Sequence, residues 1–205
     1  MTRFLSLPAL LLFAGPALAH HPLGGEAPQT VAHGLVSGLA HPVIGLDHLA
    51  FVVLIGLAAA LAGRSLAGPL AFIGATLAGT ALILLGVALP MAEVVIAASV
   101  VVLAALLLAG RTVSGPLALG GFALAGIFHG WAYGEAVIGS TPMPVFAYLL
   151  GFGVIQFAIA AGVAVLAGRV MAAEQGRMQA RLAMAVCMGV GLVFMVEGVE
   201  HLILG

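Results

Sequence analysis

Long segments without any charged side chain constrain this sequence more than any other feature. Residues 49–63, for example, contain no ionisable group. Of the 205 residues, 63% are hydrophobic and 6% are charged, and the mean hydropathy is +1.29. A soluble domain of this size needs a more highly charged surface to stay in solution. The sequence therefore predicts an all-α integral membrane bundle, because helices satisfy their backbone hydrogen bonds within the lipid.

The lengths of the apolar segments predict six transmembrane helices, since a span needs about 20 residues. The predicted spans are residues 42–62, 67–89, 91–109, 116–135, 144–167 and 180–203. Proline suits the first turn of a helix and disfavours helical geometry in the residue before it. We therefore expect a break at His41, with Pro42 beginning the first span and residues 31–40 forming a short helix or re-entrant segment outside it.

The N-terminal residues are typical of a secretory signal. A short apolar segment at 4–14 follows a positive charge, and residues 17–19 have the small-x-small pattern of a cleavage site. Residues 1–19 are therefore predicted to be a cleavable signal peptide, with an uncleaved anchor helix as the alternative. Cleavage would leave residues 20–41 as a periplasmic tail with a short outer helix, and residues 42–205 as the six-helix transmembrane domain. His20, beside a free amine, is either a cation ligand or part of a solvated tail.

The positions of the arginines predict the orientation. If the mature N-terminus is periplasmic, the loops after the first, third and fifth spans are cytoplasmic. These loops contain every arginine of the mature chain, namely Arg64, Arg111, Arg169, Arg177 and Arg181. Because cytoplasmic loops carry an excess of positive residues, we expect a multi-pass protein of the inner (cytoplasmic) membrane with both mature termini in the periplasm.

Several ionisable side chains lie inside the predicted spans, where they are costly and usually functional. A helix rises about 1.5 Å per residue. On this basis Asp47 and His48 lie about 8–9 Å below the outer end of the first span. His129 lies about 9 Å below the outer end of the fourth span, and Glu197 about 9–10 Å below the outer end of the sixth. Three distant helices are thus expected to bring metal ligands to one depth. His201 is four residues after Glu197, so it would lie on the same helical face and pass an ion towards it.

Two motifs together resemble the signature of the HupE/UreJ family of hydrogenase and urease accessory proteins. They are His41-Pro42-x-x-Gly45-x-Asp47-His48 in the first span and Phe128-His129-Gly130-Trp131-Ala132-Tyr133-Gly134-Glu135 in the fourth. The resemblance covers the whole mature chain. It implies a nickel permease that supplies metalloenzyme maturation, with hydrogenase or urease maturation proteins as partners, and cobalt is also associated with the family. The site residues that it implies are His41, Asp47, His48, His129 and Glu135.

Ligand chemistry alone leaves the ion open. Imidazole and carboxylate ligands suit nickel, cobalt, zinc, iron or manganese. Asp47 would either bind the ion directly or hold a histidine ring through a hydrogen bond. Methionines at helical spacing in the last span, near Cys187, would suit copper(I), although such residues more often fill gaps in a core. They are Met184, Met188 and Met195.

Each candidate metal ligand also has a purely structural explanation, which differs from residue to residue. His129 would otherwise be a histidine that forms a hydrogen bond between helices, and Glu135 would be the solvated end of a helix. The same solvated alternative applies to Glu93, Glu200 and His201, which lie near the predicted outer surface.

Other function classes fit the sequence less well. A net charge of -1 with no lysine argues against nucleic-acid binding. The sequence has no phosphate-binding loop of the Walker type and no serine or cysteine nucleophile beside a histidine, so we expect transport rather than enzymatic activity. Two alternatives stay open: an intramembrane metal-dependent hydrolase, and an accessory protein that binds metal without transporting it.

Overall fold

The structure is a computed structural model that describes residues 26–204, and within this range it contains seven α-helices and no β-strand. The helices are α1 (Val31–Ile44), α2 (Leu46–Leu61), α3 (Ala67–Leu84), α4 (Ala92–Leu108), α5 (Gly115–Glu135), α6 (Pro142–Val170) and α7 (Glu174–Leu204). The all-helical fold predicted from the sequence is therefore confirmed. The predicted signal peptide and His20 lie outside the described residues.

The first helical pair differs from the prediction. Helix α1 continues through His41 and Pro42, and the chain breaks instead at Gly45, where α1 and α2 meet at a bend of 77°. A proline in the last turn of a helix removes one backbone donor, which α1 tolerates here. Gly45 allows the sharp turn because a Cβ atom at this position would lie only 2.7 Å from Cδ2 of His48. The bend therefore brings the backbone close to the His48 ring.

Three helices of the described chain, α3, α6 and α7, are long and apolar enough to cross a membrane. A fourth span results if α1 and α2 together form one broken crossing, and α4 is a shorter apolar helix of 17 residues. These helices agree with a membrane bundle. The count of six spans stays a prediction.

Some helix ends also differ from the predicted spans. Helix α3 ends at Leu84 rather than at residue 89, because Gly86 adopts a left-handed conformation with φ of 79° and Val87 N–H bonds back to the carbonyl of Leu82. This arrangement is a common way to satisfy the last carbonyls of a helix. Helix α6, by contrast, begins two residues before its predicted span and ends three residues after it, and α7 begins six residues before its predicted span.

Glycines hold two pairs of helices together. A Cβ atom at Gly79 of α3 or at Gly130 of α5 would collide with the backbone of the facing helix. Gly38 of α1 likewise packs against the backbone of α6 at Tyr148. Small residues permit such close approach in lipid, where dispersion contacts drive helix association. The α3–α5 contact therefore fixes the segment of α5 that contains His129.

Helix α2 is the central element of the bundle. Its residues 50–52 and 54–59 are all buried, and it contacts α3, α4, α6 and α7. A helix that is apolar and covered all round belongs in the interior. Asp47 and His48, in the first turn of α2, are consequently placed inside the protein rather than on its surface.

Candidate functional site

A pair of histidines lies between the central helix and α5. Nδ1 of His48 is 2.8 Å from Nδ1 of His129, and the two ring centroids are 4.9 Å apart. His48 is 4% exposed and His129 is completely buried. The two side chains therefore meet, as the sequence analysis expected from their depth in the predicted spans.

Aromatic rings and one hydroxyl enclose His129. Phe51, one turn after His48 on α2, stacks on its imidazole with ring centroids 4.7 Å apart, and Phe72 of α3 contacts it edge-on at 5.4 Å. Ser99 of α4 places its Oγ 3.0 Å from Nε2 of His129. The apolar walls exclude water, so the polar contacts of this ring are strengthened by low dielectric surroundings.

His41, near the end of α1, is connected to the pair through two tyrosines. Oη of Tyr148 lies 2.8 Å from the carbonyl oxygen of Tyr133, to which it donates its proton, and 2.9 Å from Nδ1 of His41. The ring of Tyr133 packs against both His41 and His48, at centroid distances of 5.0 and 4.3 Å. His41, His48 and His129 thus form a continuous row of contacting rings with Tyr133.

Two buried polar atoms beside this row have no hydrogen-bond partner within the described residues. They are Oδ1 of Asp47, whose side chain is 8% exposed, and the hydroxyl of Tyr133. Leaving such atoms unpaired costs free energy, and each one in a native protein indicates a missing partner such as a water or an ion. Asp47 is also in the first turn of α2, where the positive end of the helix dipole stabilises a carboxylate.

Glu197 and His201 do not join the histidine row. The prediction that α7 brings ligands to the same place as α2 and α5 is therefore wrong. Both side chains are exposed on α7, where with Glu200 and Leu204 they line a separate pocket of about 290 Å³. The C-terminal part of α7 packs with Gly198 against Val94 of α4, whereas the neighbouring Glu197 is exposed. Depth along a helix does not decide which face is buried.

Glu135 is exposed at the last position of α5, six residues beyond His129. Between residues 26 and 204, no three histidine, cysteine or carboxylate side chains are close enough to hold one ion. The geometry of the site is therefore a close histidine pair with flanking groups. It is not a preassembled set of three ligands.

Two of the three methionines that would suit copper(I), Met184 and Met188, belong to the hydrophobic core. Met184 and Cys187 are buried in the main cluster, and Met188 packs against it. This location agrees with the alternative that they fill space.

Sequence reasoning missed Ser99, Tyr133 and Tyr148. Tyr133 lies in the second motif, which was a usable signal. Ser99 and Tyr148 are isolated polar residues in apolar helices, and their contacts with histidines depend on how the helices pack.

The fold and the site together define an all-helical protein with helices long and apolar enough to cross a membrane and a buried pair of histidines. The chain belongs to the HupE/UreJ family, because the model of that family, described as HupE / UreJ protein, matches residues 8–194. It is similar to Protein HupE of Rhizobium leguminosarum bv. viciae, with 33% identity over 127 residues. The match covers 61% of this chain and 64% of that relative, which is just under two thirds of its length. No solved structure matches this chain.

Proposed function

We propose that the protein carries a divalent transition-metal ion across the cytoplasmic membrane and thereby supplies metalloenzyme maturation. Nickel is the proposed ion and cobalt is the next candidate, in agreement with what the HupE/UreJ resemblance implies. The observation that carries the proposal is the 2.8 Å distance between the Nδ1 atoms of His48 and His129 in the interior of an apolar bundle.

The distance between these nitrogens suits joint ligation of one ion. Histidine nitrogens bind such metals at about 2.0–2.1 Å, so two nitrogens at a right angle around one ion lie about 2.9 Å apart, and at a tetrahedral angle about 3.3 Å. The observed 2.8 Å is the length of a hydrogen bond between the two rings, so an ion that binds both nitrogens would replace the proton between them.

Asp47 supplies the negative charge of the proposed site. Its buried Oδ1 has no hydrogen-bond partner in the described chain, and a bound cation would provide one. A carboxylate beside two neutral imidazoles also offsets much of the charge of a divalent ion, which otherwise would be expensive to bury. In the described structure Asp47 and the two histidines are not close enough to share one ion, so we propose that the Asp47 side chain moves to contact the ion when it binds.

The proposed path begins at the periplasmic face. In the six-span topology with both mature termini outside, the pocket at the end of α7 and the exposed Glu135 lie at the outer surface. Carboxylates there raise the local concentration of cations. Together with His20, these groups are proposed to collect the ion before it reaches His41 and the histidine pair.

Uptake by liposomes that contain the purified protein tests the proposal. With nickel, cobalt and zinc supplied outside, we expect uptake of nickel, and of cobalt to a lesser extent. His48→Ala and His129→Ala should each lower nickel uptake by at least about tenfold. His33→Ala is the matched control, because His33 is exposed on α1 and should leave uptake unchanged.

Uptake by both site variants at the wild-type rate would refute the assignment. If the wild-type protein binds nickel through these histidines but moves none into the liposomes, the function is that of a membrane-bound metal-binding accessory protein.

A further inference from the structure

Ser99 contacts His129 with a hydroxyl whose single proton is already engaged. Its Oγ lies 2.6 Å from the carbonyl oxygen of Ile96 and 3.0 Å from Nε2 of His129. Two oxygens as close as 2.6 Å need a proton between them, and the carbonyl has none to give. The hydroxyl of Ser99 therefore donates to Ile96 and can only accept from His129.

This arrangement decides where His129 carries its proton. A nitrogen that donates to Ser99 must be protonated, so the proton of the ring is on Nε2. In a neutral imidazole the other ring nitrogen then has a lone pair in place of a proton. That nitrogen is Nδ1, which faces His48 at 2.8 Å. In the protein without an ion, Nδ1 of His48 consequently donates to Nδ1 of His129.

We propose that Ser99 is a positioning residue that fixes the tautomer of His129 and so keeps the lone pair of its Nδ1 on the side that faces His48, where the proposed function puts the ion. Ser99 itself does not contact the ion. The inference rests on the proposed function for its purpose, since a directed lone pair matters only if the site binds a cation. The tautomer itself is a property of the metal-free protein and can be measured separately.

Other contacts of the ring agree with this role. Phe51 and Phe72 cover His129 and hold the ring in one orientation. Groups that hold the second nitrogen of a ligand histidine typically change metal affinity by 10–100-fold when removed. A serine on α4 would in this way tune a site that is built from α2 and α5.

Nitrogen-15 NMR of the full-length protein, labelled at histidine and studied in lipid bilayers without metal, measures the tautomer directly. The signals of His129 are identified by their loss in His129→Gln. We expect a protonated Nε2 and an unprotonated Nδ1 in the wild type. Ser99→Ala should shift His129 towards the other tautomer or a mixture, and Ser99→Thr, which keeps the hydroxyl, should retain the wild-type state.

Thr76→Val is the matched control. The Thr76 hydroxyl is buried and donates to the carbonyl three residues earlier in its own helix, as the Ser99 hydroxyl does, but no hydrogen bond joins it to a histidine in the described structure. This variant should leave the tautomer unchanged. Nickel affinity, measured by calorimetry, should fall about 10–100-fold in Ser99→Ala and stay within about twofold of wild type in Ser99→Thr and Thr76→Val.

A wild-type His129 that carries its proton on Nδ1 overturns the inference, and so does a Ser99→Ala variant with an unchanged tautomer. The wild-type measurement needs no variant, so it decides the question even if Ser99→Ala does not fold. If the tautomers behave as expected but the wild-type protein binds no nickel, Ser99 keeps its positioning role and the proposed transport function is the part that fails.

Discussion

The hydroxyl of Thr80 donates to the carbonyl oxygen of Gly130 at a distance of 2.7 Å, across the contact between α3 and α5. Gly130 directly follows His129, so this bond ties the histidine's backbone to the neighbouring helix. The same two helices approach so closely that neither Gly79 nor Gly130 has room for a Cβ atom. The position of His129 is therefore determined by the α3–α5 interface.

Loss of the Thr80 hydroxyl should weaken the bundle moderately. Thr80→Val keeps the shape of the side chain but removes one buried hydrogen bond between helices. Such bonds contribute about 0.5–1.5 kcal/mol, and bonds between membrane helices average near the lower value. We expect the free energy of unfolding, measured by titration with a denaturing detergent, to fall by about that amount. A loss of several kcal/mol would mean that the hydroxyl has a further role.

A side chain at Gly130 should affect both stability and function. In Gly130→Ala the new methyl group collides with the backbone of Thr76, so α5 must shift and move His129. We expect a loss of about 1–3 kcal/mol in unfolding free energy and a lower rate of nickel uptake by liposomes.

Gly121→Ala is the control for this experiment, since Gly121 is on the same helix and a Cβ atom there meets nothing within 4 Å. It should be neutral or slightly stabilising, because alanine is the better helix former. Equal effects of the two substitutions would contradict a special role for the close contact at Gly130.

The histidine pair could be anticipated from the sequence because its two members are rare ionisable residues at similar depths in apolar segments. The same reasoning failed for Glu197, since depth does not reveal which face of α7 is covered by α4. It also placed the break at His41, before Pro42, instead of at Gly45. Helix α1 continues for two residues past Pro42 although this proline removes one backbone donor, and the need for glycine at position 45 arises from the close approach of the His48 ring. Contacts made across helices, such as that of Ser99 with His129, have no signature along the chain.

A methyl group at Gly45 should disturb the site more than the fold. The backbone at this residue has φ of −72°, which alanine adopts easily, but a Cβ atom would lie 2.7 Å from Cδ2 of His48. Gly45→Ala should therefore turn the His48 ring and weaken nickel binding by about tenfold, with little change in unfolding free energy. Calorimetry and detergent titration measure the two effects. Gly74→Ala, on α3 in open space, is the control. Unchanged nickel binding would show that the site tolerates a moved ring.

Removal of the charge on Asp47 should separate stability from function. Asp47→Asn keeps the size of the side chain and eliminates a buried carboxylate whose Oδ1 has no hydrogen-bond partner in the described chain. The unfolding free energy should stay the same or rise, because a buried charge without a full set of partners is costly. Nickel affinity should fall by at least about tenfold. A variant that is less stable and binds nickel normally would indicate that Asp47 has a structural role instead.

Glu197 and His201 should influence how the ion arrives and not how tightly the central site holds it. They are exposed in the pocket at the end of α7, apart from the histidine row. An exposed carboxylate attracts cations over a distance that salt shortens, to about 10 Å at 0.1 M ionic strength. In Glu197→Gln we therefore expect slower nickel uptake at low ion concentration and low salt, but the wild-type rate at saturating nickel. The difference should shrink as sodium chloride is added, and nickel affinity of the purified protein at high salt should be unchanged.

Liposome uptake measured over a range of nickel and salt concentrations distinguishes this role from direct ligation, since loss of a ligand would lower affinity at every salt concentration.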